Sequence, residues 1–274
     1  MPPLTVAQRN SLSQFISITG ATEKVASGNL KRHGWKVDQA ADAYFAQIGA
    51  LPLKNKFDSN LEALFDKYRD ATNDEKDMVS VDGTMAYLIE LGVNLEDASS
   101  LIPLEIIQAP ALGEMSRDGF LKGWKAAGSS KALDDIKKQQ AFISTQVPLL
   151  STDLDLFKRV YKHTFICSRD KGAKALPLEN AIVYWQMLFS PPGMRWATES
   201  TNWLELWLEY LQAKWTRSVN KDMWNQTFEF FQKSMQDDSM SFWSEDGAWP
   251  GVIDDFVVYI KEKRGSATDR METD

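Results

Sequence analysis

The stretch Asp246-Gly247-Ala248-Trp249-Pro250-Gly251-Val252-Ile253-Asp254-Asp255-Phe256 opens the last apolar-periodic segment of the chain, and its reading decides the rest. Asp-Gly favours a tight turn, and Pro250 is tolerated only in the first turn of a helix, so the spacing places a helix start near Gly247. Val252, Ile253, Phe256, Val257 and Ile260 then recur at i, i+1, i+4, i+5 and i+8, the apolar stripe of a helix packed on a core. Asp254 and Asp255 fall within that helix. Carboxylates beside core positions are either solvated surface groups or charges presented to a partner, and the stretch alone leaves both open.

Upstream, the helical signal is almost unbroken. Leu61, Leu64, Phe65 and Tyr68 form one stripe; Met85, Leu88, Ile89 and Leu91 form the next, closed by Gly92. Further helices are expected around 96–109, 117–127, 131–148, 152–167, 178–189, 200–215 and 221–236. Eight of the ten tryptophans lie between Trp185 and Trp249. Trp203, Trp207 and Tyr210 share a helix with Leu204, Leu208 and Leu211, and Trp224, Phe228, Phe231 and Met235 repeat at helical spacing. Helices that are apolar nearly all round are buried among neighbours, so most of these aromatics are core. Any left over would serve as interface anchors. The fold class is all-α.

Residues 4–48 read as a compact three-helix unit. Val6, Leu12, Phe15 and Ile16 mark the first helix, which Gly20 ends. Thr22 caps a second over 23–31, and Asp38 sits in the first turn of a third carrying Ala41, Tyr44 and Phe45. Residues 49–58 hold Gly, Pro and two lysines without periodicity and read as a linker. A larger helical domain is expected over 59–263, and the polar, mixed-charge tail 264–274 is expected to be disordered.

With 274 residues, 43% hydrophobic and 25% charged, the chain can build a sizeable core. Its net charge of -7 excludes nucleic acid and anionic membranes as natural partners and suits a basic protein surface. No apolar run approaches the roughly 18 residues of a membrane span. Residues 1–10 lack a charged-then-apolar secretory pattern, which places the protein inside the cell, in cytoplasm, nucleus or both. One cysteine and two histidines leave no internal disulfide and too few ligands for zinc; no cofactor is expected.

Three features of the sequence bear on chemistry. The loops 70–83 and 168–179 have the helix, loop, short extended piece, helix outline of an EF-hand. The second puts Gly172 and Lys174 where ligands belong, and the first lacks a Gly at its sixth position, so the shape comes without calcium ligands. His163 and Cys167 stand one turn apart, the spacing at which an imidazole could activate a thiol. Phe165 and Ile166 beside them suggest a packed segment instead. Phosphate-loop, dinucleotide and nucleophile-elbow motifs are absent.

The three-helix unit, with its Gly34-Trp35 turn, resembles a UBA-like (ubiquitin-associated) domain. The resemblance implies that Ile18, Thr19, Gly20, Tyr44 and Phe45 contact ubiquitin or a ubiquitin-like modifier. Asn220 to Trp224, Ala181 to Trp185 and above all Gly247 to Phe256 resemble the potentiating-neddylation domain of the defective-in-cullin-neddylation family, which also shares the layout of UBA-like module, short linker and paired calcium-free EF-hand-like helices. What the resemblance implies is a scaffold-type ligase component with no catalytic residue of its own. It would bind a cullin's winged-helix region alongside the cullin-associated RING subunit, and would promote transfer of the modifier from its conjugating enzyme. The cullin-binding residues carried over are Asp222, Ala248 and Asp254. Asp255 stays in view because seven residues from Ala248 return to nearly the same helix face and six do not. An apolar pocket for the acetylated N-terminus of the neddylation conjugating enzyme would be walled by Val81, Leu101, Leu104, Met115, Cys167, Tyr184 and Met187. Two other readings stand beside this one: a thioester-forming transferase using Cys167, and a ubiquitin-binding adaptor without a ligase role.

Overall fold

A computed structural model describes residues 4–48, 56–128 and 132–271. The chain divides into two compact units, Met1–Ser59 and Asn60–Asp274.

In the first unit, α1 (Val6–Thr19), α2 (Glu23–Arg32) and α3 (Val37–Ile48) pack around Leu12, Phe15, Ala26, Leu30, Ala40 and Tyr44. A reciprocal pair starts α1: the Gln8 amide donates to Thr5 Oγ1 at 3.2 Å, and the Thr5 amide donates to Gln8 Oε1 at 3.0 Å. Gly20 closes it at φ +64°, a left-handed position where a side chain would be strained. Thr22 takes the N-cap position of α2 in extended conformation, but its hydroxyl makes no capping bond. Phe15 meets Tyr44 edge-on at 5.5 Å. Burying each large apolar side chain contributes about 1.5–3 kcal/mol, which a unit of this size needs from nearly all of them.

In the second unit the same pattern occurs twice. The helix α4 (Lys56–Tyr68) leads through a loop to β1 (Met78–Val79) and α5 (Val81–Leu91). A short 3-10 turn, Ala98–Ser100, and α6 (Leu101–Ile106) lead through a loop to β2 (Met115–Ser116) and α7 (Arg117–Gly128). The strands β1 and β2 pair antiparallel, Val79 opposite Met115. After α8 (Ile136–Gln146), the second copy runs through α9 (Leu154–Cys167), β3 (Ala175–Leu176) and α10 (Leu178–Leu188). It continues with α11 (Trp203–Lys214), β4 (Val219–Asn220) and α12 (Lys221–Gln236). Leu176 pairs with Val219. The loop after α4 is held by its own carboxylates: Asp70 Oδ1 accepts from the Thr72 amide at 2.8 Å, and Asp74 Oδ1 from the Ser80 amide at 3.3 Å.

Most of the tryptophan-rich segment is core: Trp185, Trp196, Trp203, Trp207 and Trp224 are buried. Trp185 stacks on Trp224 at 5.1 Å and 15°. Tyr161 ties the cluster together: its hydroxyl accepts from Trp185 Nε1 at 2.8 Å and donates to the Trp224 carbonyl at 2.8 Å. Met235, at the end of its stripe, is exposed.

The last helix, α13 (Gly251–Met271), departs from the sequence reading at both ends. It starts at Gly251 instead of near Gly247, because the Asp246-Gly247 turn closes backward onto Ser244, whose carbonyl accepts from the Gly247 amide at 2.9 Å. Pro250 also biases Trp249 away from helical geometry. The helix continues through the segment expected to be disordered, to Met271. Lys263 bonds to Glu209, and Arg264 Nη1 donates to the Asp238 carbonyl at 3.0 Å, so its early part is tied to the body of the unit. Of the expected linker, residues 49–55 lie outside the described residues, and 56–58 already belong to α4. The helix expected from 131 starts at Ile136, where Asp135 accepts from the Lys138 amide at 3.0 Å; residue 131 and tail residues 272–274 lie outside the described residues.

Candidate partner-binding site

Asp222 lies in the first turn of α12, behind an Asn220 cap whose Oδ1 accepts from the Met223 amide at 2.8 Å, and it is exposed. It shares a cleft of about 290 Å³ with Trp215, Arg217, Met223, Val252 and Asp255. Pro250 and Gly251, the start of α13, complete the wall. Arg217 stacks over the Trp215 ring at 5.1 Å, so the cleft carries one cation among its two carboxylates.

Asp254 and Asp255 are adjacent, and a helix turns about 100° per residue, so they face different ways. Asp255 is exposed and faces the Asp222 cleft. Asp254 is half-buried, and its Oδ1 accepts a hydrogen bond from Trp243 Nε1 at 2.9 Å. Ala248 is exposed in the turn before Pro250 and is not on the helix at all, so the helical-phase argument linking Ala248 to Asp255 fails. The expected residues gather around the start of α13, but through a loop and two helix ends instead of one helix face. Trp215, Arg217 and Trp243 were missed. A tertiary hydrogen bond and a stacked cation leave no periodic trace in sequence.

The apolar-pocket residues run from core to surface. Leu101, Leu104, Met115 and Cys167 are buried, Tyr184 and Met187 are half-buried, and Val81 is 57% exposed. Loop residues 112 and 113 bring Val81 and Cys167 close to one another. The Leu112 amide donates to the Cys167 carbonyl at 3.0 Å, and a Cβ on Gly113 would meet Val81 Cγ2 at 2.7 Å. Exposed Ile166 and Val183 flank Cys167 and Tyr184 in sequence. Burial raises the Tyr184 hydroxyl, and the neighbouring Cys167 adds to the rise.

Cys167 is 2% exposed, and burial pushes its thiol up to about 12. At neutral pH it is a protonated small hydrophobe rather than a nucleophile. His163 is buried too; burial pushes its imidazole down to about 4, against a hydrogen bond with the Ala109 backbone that works the other way. The pair therefore lacks both the thiolate and the accessible base that a thioester-forming transferase needs. In the first unit, Thr19 and Tyr44 face inward, Thr19 Oγ1 donating to the Phe15 carbonyl at 2.6 Å. Ile18 and Phe45 stay 48% and 44% exposed, and Gly20 is exposed as well.

This architecture is that of a mainly helical protein in which a small three-helix module precedes a larger unit in the chain. Residues 9–49 match the family model for the UBA-like domain, and residues 137–259 match the one for cullin binding. The chain is 38% identical over 282 residues to Defective in cullin neddylation protein 1 of Pyricularia oryzae, covering 99% of each. It is 31% identical to the protein of that name in Yarrowia lipolytica, over 92% of this chain and 96% of that one. It is 30% identical to the one in Caenorhabditis elegans, over 97% and 96%. The chain belongs to the defective-in-cullin-neddylation family.

Proposed function

We propose that this protein binds a cullin and promotes its neddylation as a non-covalent scaffold, inside the cell, in cytoplasm, nucleus or both. The observation that carries the reading is the pairing of Asp222 and Asp255 across one cleft, with Asp254 and exposed Ala248 beside it, within the residues that match the cullin-binding family. Carboxylates at this rim complement Lys and Arg of a cullin winged-helix region, steering the encounter and fixing orientation, while the methyl of Ala248 allows close approach. The cullin-associated RING subunit would sit on the same assembly.

The second contact is with the conjugating enzyme. Val81, Leu101, Leu104, Met115, Cys167, Tyr184 and Met187 would wall its site: most of these side chains are apolar and Val81 is exposed, which would suit an acetylated N-terminus. Burying a free ammonium there would cost several kcal/mol, so acetylation should raise affinity by at least about tenfold. Holding both partners turns a bimolecular encounter into a near-intramolecular one, and rate rises without a catalytic group on this chain. Ile18 and Phe45 would offer the UBA-like module's apolar contact to ubiquitin or the modifier.

The test is a pull-down of a cullin winged-helix fragment at two salt concentrations with wild type and with Asp222→Lys, Asp254→Lys. The double variant should lose binding while keeping its helical circular dichroism, and wild-type binding should weaken with salt. Unchanged capture by the double variant would remove the proposal.

A further inference from the structure

The turn between α12 and α13 is fixed to the molecule in two separate ways. Phe242 and Trp249 bind it to the core: they meet Phe230 of α12 at 5.5 and 6.0 Å and each other at 6.1 Å. Trp243 does something else. Its specific contacts are with charged groups of α13: its indole Nε1–H donates to Asp254 Oδ1 at 2.9 Å, and Lys261 Nζ stands 4.1 Å over the ring. Asp254 and Lys261 are seven residues apart, two helical turns along one face, so the indole lies along α13 with its polar edge on the acid and its face under the cation.

Two consequences follow for the carboxylate. An Asp at the start of a helix has free rotation about its side-chain bonds unless something holds it, and one donor to one oxygen selects a rotamer. A carboxylate accepts at both oxygens, so a bond to Oδ1 leaves Oδ2 able to receive a partner's cation. The ammonium over the ring face draws electron density from the indole and strengthens its N–H as a donor. Because Trp243 and Ala248 flank the turn closed between Ser244 and Gly247, the bond also holds the loop that carries Ala248 relative to the acid.

We infer that Trp243 is a positioning residue for partner binding: its indole N–H holds the Asp254 carboxylate, and with it the Ala248 turn, in the geometry a basic partner surface reads. The inference rests on the cullin-binding reading given above, and the role it assigns to Trp243 is exerted through Asp254. Phe242 and Trp249 already supply the packing of the turn, so the distinctive role of Trp243 is its N–H.

The experiment is a double-mutant cycle on the full chain, read as affinity for a cullin winged-helix fragment, with wild type, Trp243→Phe, Asp254→Ala and the pair. Trp243→Phe keeps one aromatic ring on this side chain and removes the donor together with the second ring of the indole, and the cycle separates the two losses; it should weaken binding about fivefold. In the Asp254→Ala background the same change should cost less than twofold. Full additivity of the two penalties, or no effect of Trp243→Phe, would overturn the positioning role. Asp222→Lys serves as the control: if it too leaves affinity unchanged, the cullin-binding reading fails instead. A second readout covers a Trp243→Phe protein that folds poorly. The Trp243 indole N–H resonance of the otherwise unaltered chain should lie at the downfield position of a hydrogen-bonded donor, and Asp254→Ala should move it upfield. An indole resonance blind to Asp254→Ala would also overturn the inference.

Discussion

His163 shows at the scale of one residue how burial sets chemistry. Its pKa is about 4 in the folded protein against about 6.5 in an unfolded chain, so the unfolded state binds the proton first. The stability this neutral imidazole contributes is complete above about pH 6.5 and is lost as pH falls toward 4. The full effect is roughly 3 kcal/mol, at about 1.4 kcal/mol per pH unit. Chemical denaturation at pH 7 and pH 4.5 should show that loss in wild type, and His163→Phe should flatten the difference; an equal slope in both would contradict the assignment. Asp237, held low at about 2 by the hydroxyls and amides of Ser239 and Ser241, loses its contribution only further down, between about pH 4 and 2, so the two are separable. Sequence made one half of the site legible at this scale. Asp222, Ala248 and Asp254 stand out by their motif. What it could not show is which carboxylate faces which neighbour, because Asp255 turns to the Asp222 cleft and Asp254 to Trp243, a bond spanning 11 residues.

At the scale of elements, the helical stripes of the sequence reappear with their apolar faces inward, since a 3.6-residue period is dictated by burial alone. Boundaries shifted where local chemistry competed. Helix α13 starts late because the Asp246-Gly247 turn spends its backbone bonds on Ser244, and α6 is short, preceded by a 3-10 turn that apolar periodicity does not foretell. Close packing between elements is equally invisible in a linear reading. A Cβ on Gly123 would lie 2.0 Å from the Ile106 carbonyl, so α7 approaches α6 only because that position has no side chain. Gly123→Ala should therefore destabilise by about 1–3 kcal/mol in urea titration; a neutral result would mean that the two helices separate freely. Tyr161→Phe should cost about 1–3 kcal/mol by leaving the Trp185 indole and the Trp224 carbonyl without their shared hydroxyl. Restoration of full stability by a bound water would contradict that estimate.

For the whole molecule, the proposed function has an acidic helical chain work by holding others in place. The only thiol is sealed and protonated, while acids cluster at an exposed rim, so neither a covalent relay nor a buried catalytic centre is needed to explain the surface. The most direct measurement is single-turnover transfer of the modifier from a preloaded conjugating enzyme to a cullin, with and without this protein. Wild type should accelerate transfer, Asp222→Lys with Asp254→Lys should remove the acceleration, and non-reducing gels should show no modifier attached to this chain at any time. Full acceleration by the double variant, or a reductant-sensitive adduct on Cys167, would contradict it.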